Sequence, residues 1–306
     1  ITDMTIRQAG KAAGYTLSFR EKIELSKLLD RLGVSAIELH AVENPKIDSL
    51  LIKSVASAVK TSAVSVPVAL TQQSVETVWN ALKEAKHPRI QVPAPVSAVQ
   101  MEYLAGKKPA AMLEAISQTV AAAKAVCGDV EFLADDATRA DPAFLYEALS
   151  AAIAAGATGV TVCDAAGSLL PDAFGGFVRA VFENVPQAKD VRFGIGCSDA
   201  LSMADACAVS AIAAGADEIK AAAQERSGWD PNSMASNMDI DVQQVVAAAM
   251  GSVQVAYQSN VQSTFSGLIT QTTGIGTSMA QGIGTGVQNG TPQAVNSLQT
   301  LATTCS

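Results

Sequence analysis

Residues 130–164 read VEFLADDATRADPAFLYEALSAAIAAGATGVTVCD. Val130–Ala134 is a short β-branched and aromatic run, Ala143–Ala155 is an alanine-rich helix former, and Gly159–Asp164 is a second short apolar run. Strand, helix and strand in immediate succession make a βαβ unit, which belongs in a parallel sheet. The helix closes on Ala155-Gly156-Ala157, where glycine suits the left-handed turn at a helix C-terminus. The same alternation extends outward from this stretch. Strand candidates Thr2–Ile6, Ala36–His40, Val64–Leu70 and Arg89–Ala94 precede it, and Arg192–Cys197 and Glu218–Ala222 follow. Ser18 and Glu21 have the S-x-x-E spacing of a capping box and open the first helical segment, while Leu201–Ala214 repeats the Ala-Gly-Ala ending. Eight uninterrupted βα units predict an α/β fold, a closed (β/α)8 TIM barrel of residues 1–250, whose chemistry sits at the C-terminal ends of its strands.

Composition narrows the partners. Half of the 306 residues are apolar (49%) and only 16% are charged, enough apolar material for a large packed core. A formal charge of −8 argues against nucleic acid and anionic membrane surfaces, both of which recruit clustered Lys and Arg. Cys127, Cys163, Cys197, Cys207 and Cys305 show no C-x-x-C spacing, so neither a zinc site nor a disulfide framework is expected, and a reduced cytoplasmic protein is. No signal-like stretch opens the chain, although its true start can lie upstream of Ile1. Near-apolar runs such as Val245–Met250 are far shorter than the roughly 18 residues of a membrane span.

Several collinear motifs carry a resemblance. Asp3-Met4-Thr5-Ile6-Arg7-Gln8 resembles D-T-T-L-R-[DE], Gly14–Ser18 resembles G-V-S-L-T, Ala36-Ile37-Glu38 resembles Y-I-E, and Met101-Glu102-Tyr103 resembles H-M-E-Y. Val130–Arg139 resembles V-E-F-S-A-E-D-A-T-R, Cys163–Gly167 stands where P-D-T-V-G is expected, and Gln224–Gly228 stands where G-E-R-A-G is expected. Over roughly residues 1–240 the chain thus resembles the acyl-CoA condensing enzymes 2-isopropylmalate synthase and homocitrate synthase, with 3-hydroxy-3-methylglutaryl-CoA lyase more distant.

That resemblance implies a divalent cation held by an acid after the first-strand arginine, by two histidines of H-x-H-[ND] on strand seven, and by the asparagine of G-E-R-A-G-N. Those positions here read Gln8, Gly196, Ser198 and Trp229. Glycine offers no side chain and indole is no metal ligand, so no metal and no cofactor are expected. Ala165, Asp135 and Gly10-Lys11 depart from the pattern as well. Only His40 and His87 exist, and His87 reads as a solvated residue at a helix end.

Arg7, Glu38, Asp164, Asp199, Glu225 and Arg226 match the pattern. In one reading Arg7 and Glu38 are a buried ion pair plugging the barrel mouth, and removing Arg7 strands Glu38. In another, Arg7 binds a small carboxylate with Asp135 and Asp164, while Glu38 and His40, two apart on a strand, share the mouth and supply a base. Cys197 alternates away from the face of Gly196 and Ser198 and is expected in the core. Three functions follow: a catalytically degenerate barrel with a structural or self-assembly role, a repurposed metal-independent enzyme on a small oxo- or hydroxy-acid, or a working acyltransferase of the parent kind.

From Val242 to Ser306 the chain has no charged residue. Val253, Tyr257, Val261, Phe265 and Leu268 form an apolar helical stripe, Gly274-Ile275-Gly276-Thr277 recurs as Gly282-Ile283-Gly284-Thr285, and Thr291-Pro292 opens a further helical pattern. No lysine accompanies the glycines, so they do not read as a phosphate loop. Subunit interfaces favour such uncharged surfaces because desolvating charge is costly, so residues 251–306 are expected to mediate self-association into a homo-oligomer or homopolymer.

Overall fold

The computed structural model describes residues 1–9, 17–199 and 202–222, together with the isolated positions 281, 285 and 292. The chain divides into two compact units, Ile1–Gly251 and Ser252–Ser306, and the architecture below is that of the first. Gly10-Lys11, Glu225, Arg226, Trp229 and the stripe from Val253 to Leu268 lie outside the described residues.

Eight parallel strands close into a barrel in sequence order. They are β1 (Thr2–Asp3), β2 (Ala36–Glu38), β3 (Ala63–Pro67), β4 (Pro88–Pro95), β5 (Asp129–Asp135), β6 (Gly159–Asp164), β7 (Arg192–Cys197) and β8 (Glu218–Ala221). The ring closes where β1 meets β8, with Thr2 opposite Lys220 and Asp3 opposite Ala221. Around it, among the described residues, run α1 (Thr5–Gln8), α2 (Phe19–Leu32), α3 (Pro45–Ala58), α4 (Gln72–Leu82), α5 (Ala98–Tyr103), α6 (Pro109–Val126), α7 (Pro142–Ala154), α8 (Pro171–Asn184) and α9 (Ala204–Ala213). The (β/α)8 expectation holds. No helix among the described residues is long and apolar enough to cross a membrane.

Local chemistry explains the boundaries. Both bonds of the capping box form at α2: Ser18 Oγ accepts from Glu21 N at 3.3 Å, and Glu21 Oε2 accepts from Ser18 N at 2.7 Å. Gly156 and Gly215, with φ of 107° and 113°, make the left-handed exits of α7 and α9 that only glycine adopts freely. The first strand is shorter than its sequence pattern predicts. Asp3 Oδ1 accepts from Thr5 N at 2.9 Å and Asp3 Oδ2 from Thr5 Oγ1 at 3.2 Å, so an aspartate-based turn ends β1 and places Arg7 on α1 rather than on a strand. Two of the three prolines of β4, Pro93 and Pro95, are equally explicable. Gln91 O accepts from Val68 N at 2.8 Å, so Gln91, Pro93 and Pro95 address β3, and β3 has already ended at Pro67, opposite Gln91. The missing N–H groups break no ladder bond.

The barrel divides its side chains by face. Outward-pointing Ile37, Ile90, Val92, Phe132, Val160 and Phe193 are 0% exposed beneath the helices. The inward face carries charge instead of the branched apolar layers usual in such barrels. Toward the N-terminal end, Arg89 pairs with Asp129 at 2.9 Å and Glu218 at 3.2 Å, and Arg192 pairs with the same two acids at 3.1 Å each, a four-membered ring with no net charge.

Gly194 shows how tightly that interior is fitted. A Cβ there would collide with Thr161 Oγ1, which donates to Glu131 Oε1 at 2.5 Å. Gly194→Ala is therefore expected to push Thr161 off Glu131 and destabilise the barrel by about 1–3 kcal/mol, the usual cost of overpacking. Urea unfolding checks this, and an unchanged midpoint would contradict it.

Candidate functional site

The chemistry-bearing cluster is centred on Glu38, the last residue of β2, whose side chain is fully buried. Its Oε2 accepts from Arg7 Nη1 at 2.6 Å, and its Oε1 accepts from Gln91 Nε2 at 2.8 Å and from the Lys220 ammonium. Lys220 reaches across the barrel to Glu131 Oε1 at 2.8 Å as well. Gln91 joins the parts: its Oε1 accepts from Arg7 Nη1 at 2.8 Å, and its Nε2 donates to Glu131 Oε2 at 3.1 Å as well as to Glu38. Two cations therefore balance two carboxylates.

Electrostatics follow from this pairing. Burial alone would raise the Glu131 carboxyl, but the Lys220 ammonium and then Arg89 outweigh it and hold the group down to about 2. Burial would likewise lower Lys220, yet Glu131 and Glu38 raise it above the ordinary lysine range. It is thus a fixed ammonium rather than a nucleophile. The Cys163 thiol is pushed up to about 12, chiefly by burial and then by the Asp135 charge, so it is inert as a nucleophile. Burial raises Cys197 too, although its side chain is only half-buried rather than in the core expected for it.

The Arg7–Glu38 pair expected from sequence is present, but Arg7 is not the only partner of Glu38. Removing Arg7 leaves Glu38 with Lys220 and Gln91, so the carboxylate is not stranded. Arg7 is the member that meets solvent, with 22% of its side chain exposed, and among the described residues its Nε and Nη2 have no hydrogen-bond partner.

His40 does not join Glu38. The strand ends at Glu38, and beyond it the imidazole Nδ1 lies 3.0 Å from Ala41 O while Nε2 lies 4.0 Å from Asp48 Oδ1 on α3. The alternation that would have put both side chains in the mouth had already stopped. Asp164 holds a loop: its carboxylate accepts from Thr138 Oγ1 at 2.7 Å, Gly167 N at 3.2 Å and Leu169 N at 3.3 Å. Asp135 ends β5 half-buried, with its carbonyl accepting from Val96 N at 3.1 Å. Next to it Asp136 is fully buried in the left-handed region (φ 58°), accepting from Ser97 Oγ at 2.5 Å and from Arg139 Nε and Nη2 at 2.7 and 2.8 Å.

Sequence reasoning missed Lys220, Glu131, Gln91 and the Arg89–Asp129–Arg192–Glu218 ring. The signal was present as Arg89-x-Gln91, Asp129-x-Glu131 and Glu218-x-Lys220, polar side chains two apart on strands and hence on one face.

Of the cation positions implied by the resemblance, the described ones carry Gly196, Ser198 and Gln8. A Cβ built on Gly196 would meet Cys163 Sγ at 3.1 Å, so a ligand side chain could not start there without moving that thiol. Ser198 is exposed, and its main-chain N donates to Asp164 O at 3.0 Å. Gln8, at the end of α1, offers only a neutral amide. Among the described residues, no three His, Cys, Asp or Glu side chains are grouped to hold a metal.

A family model described as HMGL-like matches residues 1–266. The chain belongs to the HMGL-like family. Among curated HMGL-like relatives, the 2-isopropylmalate synthase of Lysinibacillus sphaericus is 34% identical over 220 residues, 72% of this chain and 43% of that one. The 2-isopropylmalate synthase of Clostridium kluyveri is 31% identical over 231 residues, 74% and 45% of the two chains. This chain thus spans less than half the length of those relatives. Solved HMGL-like barrels agree in fold: the HMG-CoA lyase of Brucella melitensis aligns with a TM-score of 0.60 at 17% identity, covering 72% of this chain and 79% of that one. The hydroxymethylglutaryl-CoA lyase of Pseudomonas aeruginosa aligns at 0.59 and 14% identity, covering 82% and 92%.

The unequal roles of the two cations give a testable contrast. Arg7→Ala should cost about 1 kcal/mol, because Arg7 is partly solvated and Glu38 keeps two partners. Lys220→Met leaves two buried carboxylates without their shared cation and should cost about 3–5 kcal/mol. Urea melts of the two variants check the order, and the reverse order would show that Lys220 is not the centre of the cluster.

Proposed function

We propose that this chain is a barrel of 2-isopropylmalate synthase type that does not run the metal-dependent condensation and acts instead in structure or self-assembly. One observation carries the reading: Gly196 contributes no ligand, and a Cβ built there would stand 3.1 Å from Cys163 Sγ, so a ligand side chain would have to displace that thiol slightly. Without a Lewis acid on the 2-oxo group of the acceptor, condensation loses several kcal/mol of transition-state stabilisation. Charge pairing across the interior also leaves Arg7 as the one member of the Glu38 cluster with donors toward solvent.

Those spare Arg7 donors favour a second reading, a metal-independent site for a small oxo- or hydroxy-acid carboxylate, in which a guanidinium edge supplies paired N–H groups. His40 engages Ala41 and Asp48 instead, so this reading has lost the base that sequence assigned to it.

The purified protein is expected to hold no stoichiometric Mg2+, Mn2+ or Zn2+ and to release no CoA from acetyl-CoA on addition of 2-oxoisovalerate or 2-oxoglutarate. Elemental analysis and a thiol-release assay measure both. One equivalent of metal together with CoA release would establish the parent activity instead. If 2-oxoisovalerate binds the metal-free protein by calorimetry and Arg7→Ala abolishes the binding, the second reading prevails.

We also infer that residues 251–306 form an assembly segment, supported by their lack of any charged side chain. Deleting them should yield a smaller, folded particle in light scattering. An unchanged particle mass, or a monomeric full-length chain, would refute the assembly role.

A further inference from the structure

The positive charge that a bound cation would bring to this interior is supplied by the chain itself. Glu38 and Glu131 come from β2 and β5, both at most 1% exposed, and Gln91 Nε2 donates to each, at 2.8 and 3.1 Å, turning the two carboxylates toward a common point. At that point sits Lys220, bound to the Oε1 atom of both. Its strand position is adjacent to the expected metal position: a Cβ on Gly196 would stand 4.0 Å from Lys220 Cβ.

A second, independent feature lies on the same inner face. Ser65 stands in register with Glu38 on the inner face, and Thr2 in register with Lys220. Both residues are 0% exposed, yet neither hydroxyl oxygen has a hydrogen-bond partner. Buried hydroxyls are ordinarily satisfied, so these two inner-face oxygens, at the register positions of Lys220 and Glu38, leave acceptor capacity unused on the strands that flank the cluster. Carboxylates and hydroxyls are the donors that hard cations take.

We propose that Glu38 and Glu131, with the hydroxyls of Ser65 and Thr2 at the edge, form a cation site that the chain fills with its own Lys220 ammonium. The site is distinct from the one the family resemblance implies, and it stands whether or not the barrel retains an activity. With Arg7 and Lys220 present the cluster is neutral; without the Lys220 charge it carries one unbalanced negative charge in a buried setting, which a small cation from solution relieves.

The test uses the full chain with two substitutions. Lys220→Ala removes the charge and opens room for an ion, whereas Lys220→Met removes the charge and fills the room. Thermal melts are recorded in MgCl2, CaCl2, ethylammonium chloride and NaCl at matched ionic strength. The parent should melt identically in all four. Lys220→Ala should melt lower in NaCl and shift upward by several degrees with rising Mg2+, Ca2+ or ethylammonium, as binding to the folded state alone requires. Lys220→Met should show no such shift. The proposal is overturned if Lys220→Ala melts like the parent, if none of the three cations exceeds NaCl, or if Lys220→Met responds equally. Should Lys220→Ala fail to fold in every salt, Lys220→Met/Glu131→Gln decides: it should melt above Lys220→Met, and an equal or lower melt overturns the proposal.

Discussion

An ammonium shared between two buried carboxylates is the constraint on which this barrel depends. Taking Glu38, Glu131 and Lys220 out of water is costly for each, and the cost is offset only because each charge meets its opposite at hydrogen-bonding distance. Gln91, Thr161 and Arg7 complete the shell around the carboxylates. Their positions explain features that otherwise look arbitrary, such as glycine at 194, where any side chain would displace Thr161. The lower ring repeats the solution with Arg89, Arg192, Asp129 and Glu218.

At the mouth a different set of bonds fixes the rim. Ser97 follows β4 and donates to Asp136 after β5; Thr138, two residues on, donates to Asp164 at the end of β6; and Ser198 N, after β7, donates to Asp164 O. Four successive strand ends, those of β4 to β7, are thereby tied to one another. The strained backbone of Asp136 belongs to this belt, held by the bidentate Arg139 pair and the Ser97 hydroxyl. Residues that resemble catalytic motifs in sequence, Asp164 and the Asp136–Arg139 stretch, thus have full structural employment.

The fold was legible because hydrophobic period and turn chemistry are local. Eight short runs separated by capped helices leave little choice but a closed parallel barrel, and the Ser18–Glu21 box and the Ala-Gly-Ala exits mark helix ends directly. The site was legible only in part. Arg7 and Glu38 surfaced through motif resemblance, but Lys220 did not, since Glu218-x-Lys220 marks a polar face without naming partners that lie on β2 and β5. The pairing of His40 with Glu38 failed for a local reason: alternation predicts a shared face only while the strand lasts, and β2 stops at Glu38. Likewise the turn made by Asp3 and Thr5 shortens a strand whose composition alone reads as longer.

The sequence distances spanned by these ion pairs have a kinetic consequence. Arg89 meets Glu218 across 129 residues, and Glu38 meets Lys220 across 182. Glu38 meets Arg7 within the first half and Arg89 meets Asp129 on β5, but each also takes a partner delivered only by the last strand, so a partial barrel leaves its lining incompletely neutralised. Stable half-barrel intermediates are thus disfavoured, the ring gains its stability mainly when β8 docks against β1, and the folding rate is set by that late, long-range closure rather than by the quick local helices.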